Sequence, residues 1–376
     1  MRKRRWLALA LLAGLFFGCV TAPYTGRSQL MLVSEPQEVS LGAQAYNQTL
    51  RDSVVSDNPE ALRVVRKVGE RIARAADKPD YKWEFRVFDD PEQVNAFCLP
   101  GGKVGVYTGI FPVARDEAGL AVIIGHEVAH ALLRHAGERI SRVQLVGTGL
   151  GLVGAAGMNA GLVQALGLGA NVGLILPFSR SQESEADKVG LILMAKAGYD
   201  PRVAVPLWER MEQKAQAKKA PPDFLSTHPG AGTRVEELRA FMPQALEYYR
   251  PSDRGLETLP SLQEIDSPRA KVERDLVKRM QAVNQLAGQK ERAVAEAIGS
   301  SLRMDLYAVA EERQQLKLGY GQYAALRGVA YLGKSSLRPV LQDYQSGARW
   351  SDLAALHGAN MPELIAWMGD IQRAIK

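Results

Sequence analysis

The stretch that decides the fold is His126-Glu127-Val128-Ala129-His130. Residues four positions apart on a helix lie on the same face, one turn from each other, so the imidazoles of His126 and His130 can point at a single metal ion. Glu127 lies about 100 degrees around the helix from His126, where its carboxylate can reach a water held by that ion. The spacing therefore predicts a helix that carries two metal ligands and one general base.

The residues around this motif are strongly apolar, which predicts a buried helix from about Asp116 to Arg142. Acidic residues stand near its start and arginines towards its end, as the helix dipole favours. His135 follows His126 by nine residues, which puts it about half a turn out of phase on one continuous helix. We therefore expect His135 to lie on the opposite face and to have a structural role.

A metal site that keeps one position open for water needs a third protein ligand. Candidates lie in the stretch SRSQESEAD, residues 179–187, which predicts the start of another helix. Glu183 and Asp187 share a face there, so Glu183 could bind the metal while Asp187 accepts the N–H of a ligand histidine. Glu185 would point elsewhere. Solvated acidic residues would show the same spacing, so the residues alone leave the third ligand open.

Three stretches in combination resemble the M48 zinc metallopeptidases: HEVAH at 126–130, SRSQESEAD at 179–187 and STHPG at 226–230. That family includes exported bacterial lipoproteins and membrane-embedded proteases. The resemblance extends over roughly residues 24–250. It implies a zincin-like metallopeptidase of the α+β class, predominantly helical, with a small β-sheet beside the motif helix.

The resemblance also implies roles for individual residues. One Zn2+ per chain would be bound by His126, His130 and Glu183, with Asp187 supporting a ligand histidine and Glu127 acting as the catalytic base. A further histidine and arginine, His228 and Arg234, match the family as well. The histidine would either approach the zinc at rest or steady the oxyanion during turnover, and the arginine would either bind substrate or brace the loop.

The residues Asn95, Ala96 and Phe97 resemble the strand beside the family's cleft, where an extended peptide could pair by β-addition. Alternation around Trp83–Val87 independently predicts a strand, and residues 97–107 predict a hairpin. Cys98 stands at a position where that family usually has a small apolar residue. It is either a core residue or a thiol close enough to touch zinc or sense oxidation.

The chain is predicted to comprise a lipoprotein-type signal segment (1–19), a tether (20–34), a zinc peptidase domain (35–250), a linker (251–268) and a C-terminal helical region of unknown role (269–376). The signal segment has four basic residues, then an apolar run and Gly18-Cys19, which predicts export and lipidation of Cys19. Simple secretion and uncleaved anchoring are the alternatives.

Residues 143–178 contain no charged residue and are rich in glycine. They could form a membrane hairpin, but their asparagine, glutamine and glycine content makes each half a poor spanning helix. Buried or interface-lying helices are the favoured interpretation. The four basic residues of the signal account for most of the formal net charge of +6, so the remainder has no footprint for binding nucleic acid.

These observations predict a zinc-dependent endopeptidase of the bacterial cell envelope, located in the periplasm and anchored to the outer membrane through Cys19. Its partners would be unfolded or misassembled envelope proteins as substrates, and an assembly machinery bound through the C-terminal region. The alternative is a chaperone or assembly factor with low or latent proteolytic activity. An intramembrane protease that uses residues 143–178 as a membrane hairpin is a weaker possibility.

Overall fold

The computed structural model divides into two compact units. One is built from the chain up to Arg51 and from Val55 to Ile265, and the other from Asp52–Val54 and Asp266 onwards. No helix in the described ranges is long and apolar enough to cross a membrane. The predictions for the signal segment and for most of residues 143–178 lie outside these ranges. The structure describes residues 19–149, 178–217, 223–229, 233–251 and 256–375.

The first unit begins with a short antiparallel hairpin, β1 (Cys19–Thr21) and β2 (Ser28–Leu30). Two helices follow, α1 (Glu35–Asp52) and α2 (Pro59–Ala76). The side chain of Asn58 caps α2 by accepting a hydrogen bond from the backbone of Ala61.

The three-stranded sheet has the order β3-β5-β4, with β3 (Glu84–Phe88) parallel to β5 (Lys103–Tyr107) and β4 (Ala96–Leu99) antiparallel to it. The predicted hairpin is therefore confirmed. Gly101 and Gly102 adopt positive φ in its turn, a conformation that favours glycine. Within the described residues β4 is paired on one side only, so it is an edge strand.

The motif helix is shorter than predicted. After the short helix α3 (Phe111–Ala114), helix α4 runs over Glu117–Leu132, and α5 (His135–Gly149) begins separately. Arg134 between them has φ 55°, and its side chain binds Glu38 and the Val33 carbonyl. The single helix predicted up to Arg142 is wrong, because these contacts stabilise a left-handed residue that ends α4.

Helix α6 (Arg180–Lys196) packs on α4 at a very short distance. A Cβ added to Gly190 would lie 2.9 Å from the backbone nitrogen of His126, and one added to Gly125 would lie 2.9 Å from the carbonyl of Gly190. The backbones of α4 and α6 can approach this closely because both positions are glycine. This contact fixes the distance between the motif and the acidic residues of α6.

The remaining helices of the first unit are α7 (Ala204–Ala217), α8 (Asp223–Thr227), α9 (Arg234–Glu247) and α10 (Leu262–Ile265). The predicted linker includes residues that pack in the first unit. Its residue Glu257 accepts a hydrogen bond from the backbone of Glu117, and Leu259 is buried in the first unit's core. In the predicted tether, Met31 and Val33 are buried.

The second unit is helical, with a core that includes Leu276, Met280, Tyr323, Val329 and Met368. Gly358 adopts positive φ between the last two helices of this unit. The predominantly helical α+β class is confirmed. The predicted domain boundaries and the role of residues 269–376 stay predictions.

The helices of the second unit are α11 (Pro268–Leu302), α12 (Leu306–Gln315), α13 (Tyr320–Leu332), α14 (Leu337–Gln345), α15 (Trp350–Leu356) and α16 (Met361–Ala374).

The variant Gly190→Ala tests the close packing of α4 and α6. The added methyl meets backbone atoms that cannot rotate away, so we expect a loss of about 1–3 kcal/mol in stability. Hydrogen exchange should then accelerate in α4 and α6. The matched control is Gly288→Ala in α11, where the new Cβ meets nothing within 4 Å. That change should stabilise its helix by about 0.5–1 kcal/mol, and equal effects at both positions would contradict the packing argument.

Candidate metal centre

Four buried side chains converge on one point in the first unit. They are His126 and His130 of α4, Glu183 of α6 and His228, which follows α8 directly. Their potential ligand atoms all lie within 4.8 Å of one another. The four residues are only 2–4% exposed. The structure therefore brings together the two histidines of the motif, the proposed third ligand and the histidine that the family resemblance singled out.

The facing atoms of this cluster are arranged for a cation. Nε2 of His126 and Nε2 of His130 are 3.1 Å apart, and the carboxylate of Glu183 lies 3.6 and 3.5 Å from them. Among the described residues, Glu183 Oε1 and His228 Nε2 are buried without a hydrogen-bond partner. Buried polar atoms normally have partners, and a cation would satisfy both. Imidazole nitrogens with one carboxylate form a donor set typical of zinc.

The outer nitrogen of His126 is held by a carboxylate. Its Nδ1 lies 2.9 Å from Asp187 Oδ1, as the spacing of Glu183 and Asp187 on one face predicts. Arg234 donates from Nε to Asp187 Oδ2 at 2.7 Å and from Nη2 to Glu183. Its guanidinium also lies 3.9 Å above the ring of Trp208. Its Nη1 donates to the carbonyl of His228 at 3.4 Å. Both of its expected roles, bracing the loop and binding substrate, stay predictions.

His228 presents its Nε2 to the cluster. Its Nδ1 lies 3.2 Å from the carbonyl of Phe224, to which it donates, and 2.8 Å from Thr227 Oγ1. Burial lowers the pKa of His228 to about 3, so the ring is neutral and its Nε2 carries a lone pair. This arrangement suits a residue that approaches a metal at rest. Whether it ligates the metal or acts on the oxyanion stays a prediction.

Glu127 lies beside the cluster rather than within it. Its Oε1 is 3.5 Å from His228 Nε2 and is buried without a hydrogen-bond partner. Burial raises the pKa of Glu127 to about 8, although the nearby His126 acts in the opposite direction. A carboxyl group with such a pKa can both take up and return a proton near neutral pH.

The edge strand β4 lies against α4, but its side chains are not equivalent. The ring of Phe97 packs against Phe88 and Tyr107, with ring centroids 5.8 and 6.3 Å away, whereas Ala96 packs in the core that contains α4. Asn95 precedes the strand and accepts the Tyr107 N–H through its carbonyl. Only the backbone edge of β4 is therefore suited to pair with a peptide, and the substrate-binding roles of these residues stay predictions.

Cys98 alternates with Phe97 and packs against the same core as Ala96. Burial raises the pKa of its thiol, and the negative charge of Glu127 raises it further. A thiol with a raised pKa is a poor nucleophile and a poor metal ligand. The structure thus favours the small core residue over the redox-active one.

Aromatic rings cover the cluster. Phe178 stacks on His130 at 4.0 Å between centroids, and Phe224 stacks on His228 at 4.6 Å. The backbone nitrogen of Phe224 donates to the carbonyl of Val94, next to the edge strand. Glu127 is only 3% exposed in this arrangement.

The prediction that His135 lies on the opposite face is wrong. Because α4 ends at Leu132, the chain turns and brings His135 Nδ1 to 2.9 Å from His130 Nδ1. Its Nε2 lies 3.1 Å from Glu185 Oε2. Glu185 does point away from the ligand cluster, as predicted, but towards this histidine. The sequence shows that His135 and Glu185 are present, but no local pattern in it predicts the turn at Arg134 that brings them together.

The fold and the cluster together define a metallopeptidase, and comparison with known proteins agrees. The model of Peptidase family M48 matches residues 59–242. The chain is 36% identical over 270 residues to Mitochondrial metalloendopeptidase OMA1 of Schizosaccharomyces pombe, covering 70% of this chain and 79% of that protein. The chain is also 33% identical over 282 residues to Mitochondrial metalloendopeptidase OMA1 of Saccharomyces cerevisiae. This match covers 67% of this chain and 78% of that protein.

A bacterial relative is more distant. The Beta-barrel assembly-enhancing protease of Escherichia coli K12 is 26% identical over 230 residues, which cover 58% of this chain and 46% of that protein. The chain belongs to peptidase family M48, and its prediction as a metalloendopeptidase is confirmed.

The predicted location is contradicted by these comparisons. The relatives with 36% and 33% identity are mitochondrial proteins by name. The placement in the periplasm, anchored to the outer membrane as a lipoprotein, is therefore wrong. Lipidation of Cys19 stays a prediction.

The pH dependence of metal binding tests the electrostatics of the cluster. Burial lowers the pKa of His126, but its hydrogen bonds to Asp187 and Glu183 outweigh this effect and raise the pKa to about 9. Below pH 9 the metal must displace this proton, so its apparent affinity should fall by about tenfold per pH unit. Above pH 9 the affinity should level off.

Chelator competition on the metal-free protein, at pH values on both sides of 9, measures this dependence. Asp187→Asn removes the carboxylate that raises the pKa of His126, so it should move the levelling-off to lower pH. An affinity that does not change below pH 9 in the unaltered protein would refute the assignment.

Proposed function

We propose that this M48 metallopeptidase is a zinc-dependent endopeptidase that cleaves unfolded or misassembled proteins. The observation that carries the proposal is the convergence of His126, His130 and Glu183 on one point, with the carboxylate of Glu127 beside them. The unpartnered atoms Glu183 Oε1 and His228 Nε2 support a cation there.

The ligand set supplies the metal part of the site. His126, His130 and Glu183 would hold the zinc, and Asp187 and Arg234 keep His126 and Glu183 in place. When bound, zinc polarises the carbonyl of the scissile peptide and lowers the pKa of the attacking water. Three protein ligands leave a position open for catalysis, provided that His228 withdraws.

Glu127 acts as the general base and general acid of the proposed reaction. In its ionised form, the Glu127 carboxylate can accept the proton of the attacking water and return it to the leaving amine. His228 would stabilise the oxyanion only as a hydrogen-bond donor. Its Nδ1 now donates to Phe224, so its Nε2 must first acquire a proton.

The shape of the site favours extended substrates. The edge strand β4 offers backbone groups to a chain that can pair with it, and a folded protein has few such segments to spare. Residues 223–229 cover the cluster, and the backbone bond between Phe224 and Val94 lies close to that edge. We propose that an incoming unfolded segment displaces this cover. The assembly-related name of the bacterial relative is compatible with misassembled chains as substrates.

The alternative is a chaperone or assembly factor with low or latent proteolytic activity. The observation that favours it is the complete burial of the cluster, because a site closed in this way cuts nothing until it opens. In that case the helices of the second unit would bind an assembly partner. Retention of Glu127 beside the metal ligands favours the protease, because binding alone does not require that carboxylate.

The decisive variant is Glu127→Gln, which preserves size but cannot accept a proton. Casein cleavage by the full chain should fall by about 10²- to 10⁴-fold, which is the usual contribution of a general base. Zinc content, measured in parallel, should stay near one ion per chain. Glu247→Gln, on an exposed position of α9, is the matched control and should cleave as the unaltered protein does.

Other outcomes separate the two functions. Equal cleavage by the unaltered protein and Glu127→Gln would refute the role of Glu127. The chaperone would be favoured if neither the unaltered protein nor Glu127→Gln cleaved casein, although both bound zinc and suppressed the aggregation of a denatured client protein.

A further inference from the structure

We propose that His135 is a positioning residue that fixes the tautomer and orientation of the ligand His130, as the middle member of a chain His130–His135–Glu185. Segment 22–27, between β1 and β2, closes the chain through Thr25 and Arg27. This inference rests on the proposed metal site and adds residues that neither the motif nor its spacing identified.

The chain is anchored at its carboxylate end. Glu185 Oε1 accepts from Thr25 Oγ1 at 2.6 Å, and its Oε2 accepts from Arg27 Nε at 2.8 Å. Arg27 also donates to Glu138 of α5. Glu185 is thus an ionised acceptor held on two sides, and the nitrogen of His135 that faces it must be a donor.

The proton positions follow from this anchor. The contact between Nδ1 of His135 and Nδ1 of His130 needs one donor and one acceptor, and a neutral imidazole offers one of each. Because Nε2 donates to Glu185, Nδ1 accepts, and the donor 2.9 Å away is Nδ1 of His130. His130 therefore carries its proton on the outer nitrogen. Its Nε2 lone pair faces His126 and Glu183.

The two ligand histidines are then supported in different ways. His126 donates directly to Asp187, whereas His130 reaches its carboxylate through a second imidazole. Both carboxylates come from α6, as does Glu183. Hydrogen bonds of this kind orient metal-binding histidines, and their loss typically weakens metal affinity by about 10–100-fold. The residues just after β1 thus contribute to the geometry of the metal centre.

Two substitutions at one position test the chain. In His135→Gln the amide falls near the former Nε2 and can still bind Glu185, but His130 loses its acceptor. In His135→Asn the amide oxygen falls near the former Nδ1, so His130 keeps an acceptor. Chelator competition should show zinc affinity reduced by about 10–100-fold in His135→Gln and by clearly less in His135→Asn. The visible spectrum of bound Co2+ should change most in His135→Gln.

A histidine of the second unit provides the control. His357 in the second unit also bonds a carboxylate through Nε2, at 2.8 Å from Asp343, and His357→Gln should leave zinc affinity unchanged. Equal losses in His135→Gln and His135→Asn, or no loss in either, would overturn the proposal. If the unaltered protein bound no zinc, the metal site itself would fail, and the proposed function with it.

A measurement without any variant covers the case in which His135→Gln does not fold. Nitrogen NMR of the metal-free protein, labelled at histidine, reports which ring nitrogen carries a proton. Protonation of His130 at Nδ1 is expected, and a proton on its Nε2 with Nδ1 bare would overturn the chain.

Discussion

The close approach of α4 and α6 at Gly125 and Gly190 is the constraint on which the centre depends. Residues 126 and 130 come from one helix and residue 183 from the other, so the separation of the two backbones sets the separation of the ligands. Any side chain in place of either glycine would push the helices apart. The same contact brings Asp187 to the outer nitrogen of His126, and it brings Glu185 to His135, which bonds the outer nitrogen of His130.

Burial makes this network necessary. A cluster of imidazoles and carboxylates that water cannot reach is unstable unless every charge has a partner. Arg234 supplies the positive charge for Glu183 and Asp187, while Arg27 supplies it for Glu185. Each arginine comes from a segment distant in sequence from the motif. The first unit must therefore be fully folded before the centre has its geometry.

Residues of the metal centre could be predicted from the sequence where their spatial relation is set by local helix geometry. The two motif histidines and Glu127 could be predicted because helical spacing alone sets their relation, and Asp187 followed from its distance to Glu183. The choice of Glu183 itself depended on the family resemblance. His135 was misplaced because its position depends on the turn at Arg134, which contacts with Glu38 and Val33 stabilise from another part of the chain. The burial of Met31, Val33 and Leu259 could not be predicted for the same reason, since these residues acquire partners only in the folded unit.

The most direct test of the metal centre is anomalous diffraction at the zinc edge from crystals of the full chain grown with zinc. We expect one peak in the first unit, at about 2.0–2.2 Å from Nε2 of His126, Nε2 of His130 and a carboxylate oxygen of Glu183. Zinc bound elsewhere, or bound to the two histidines without Glu183, would contradict it.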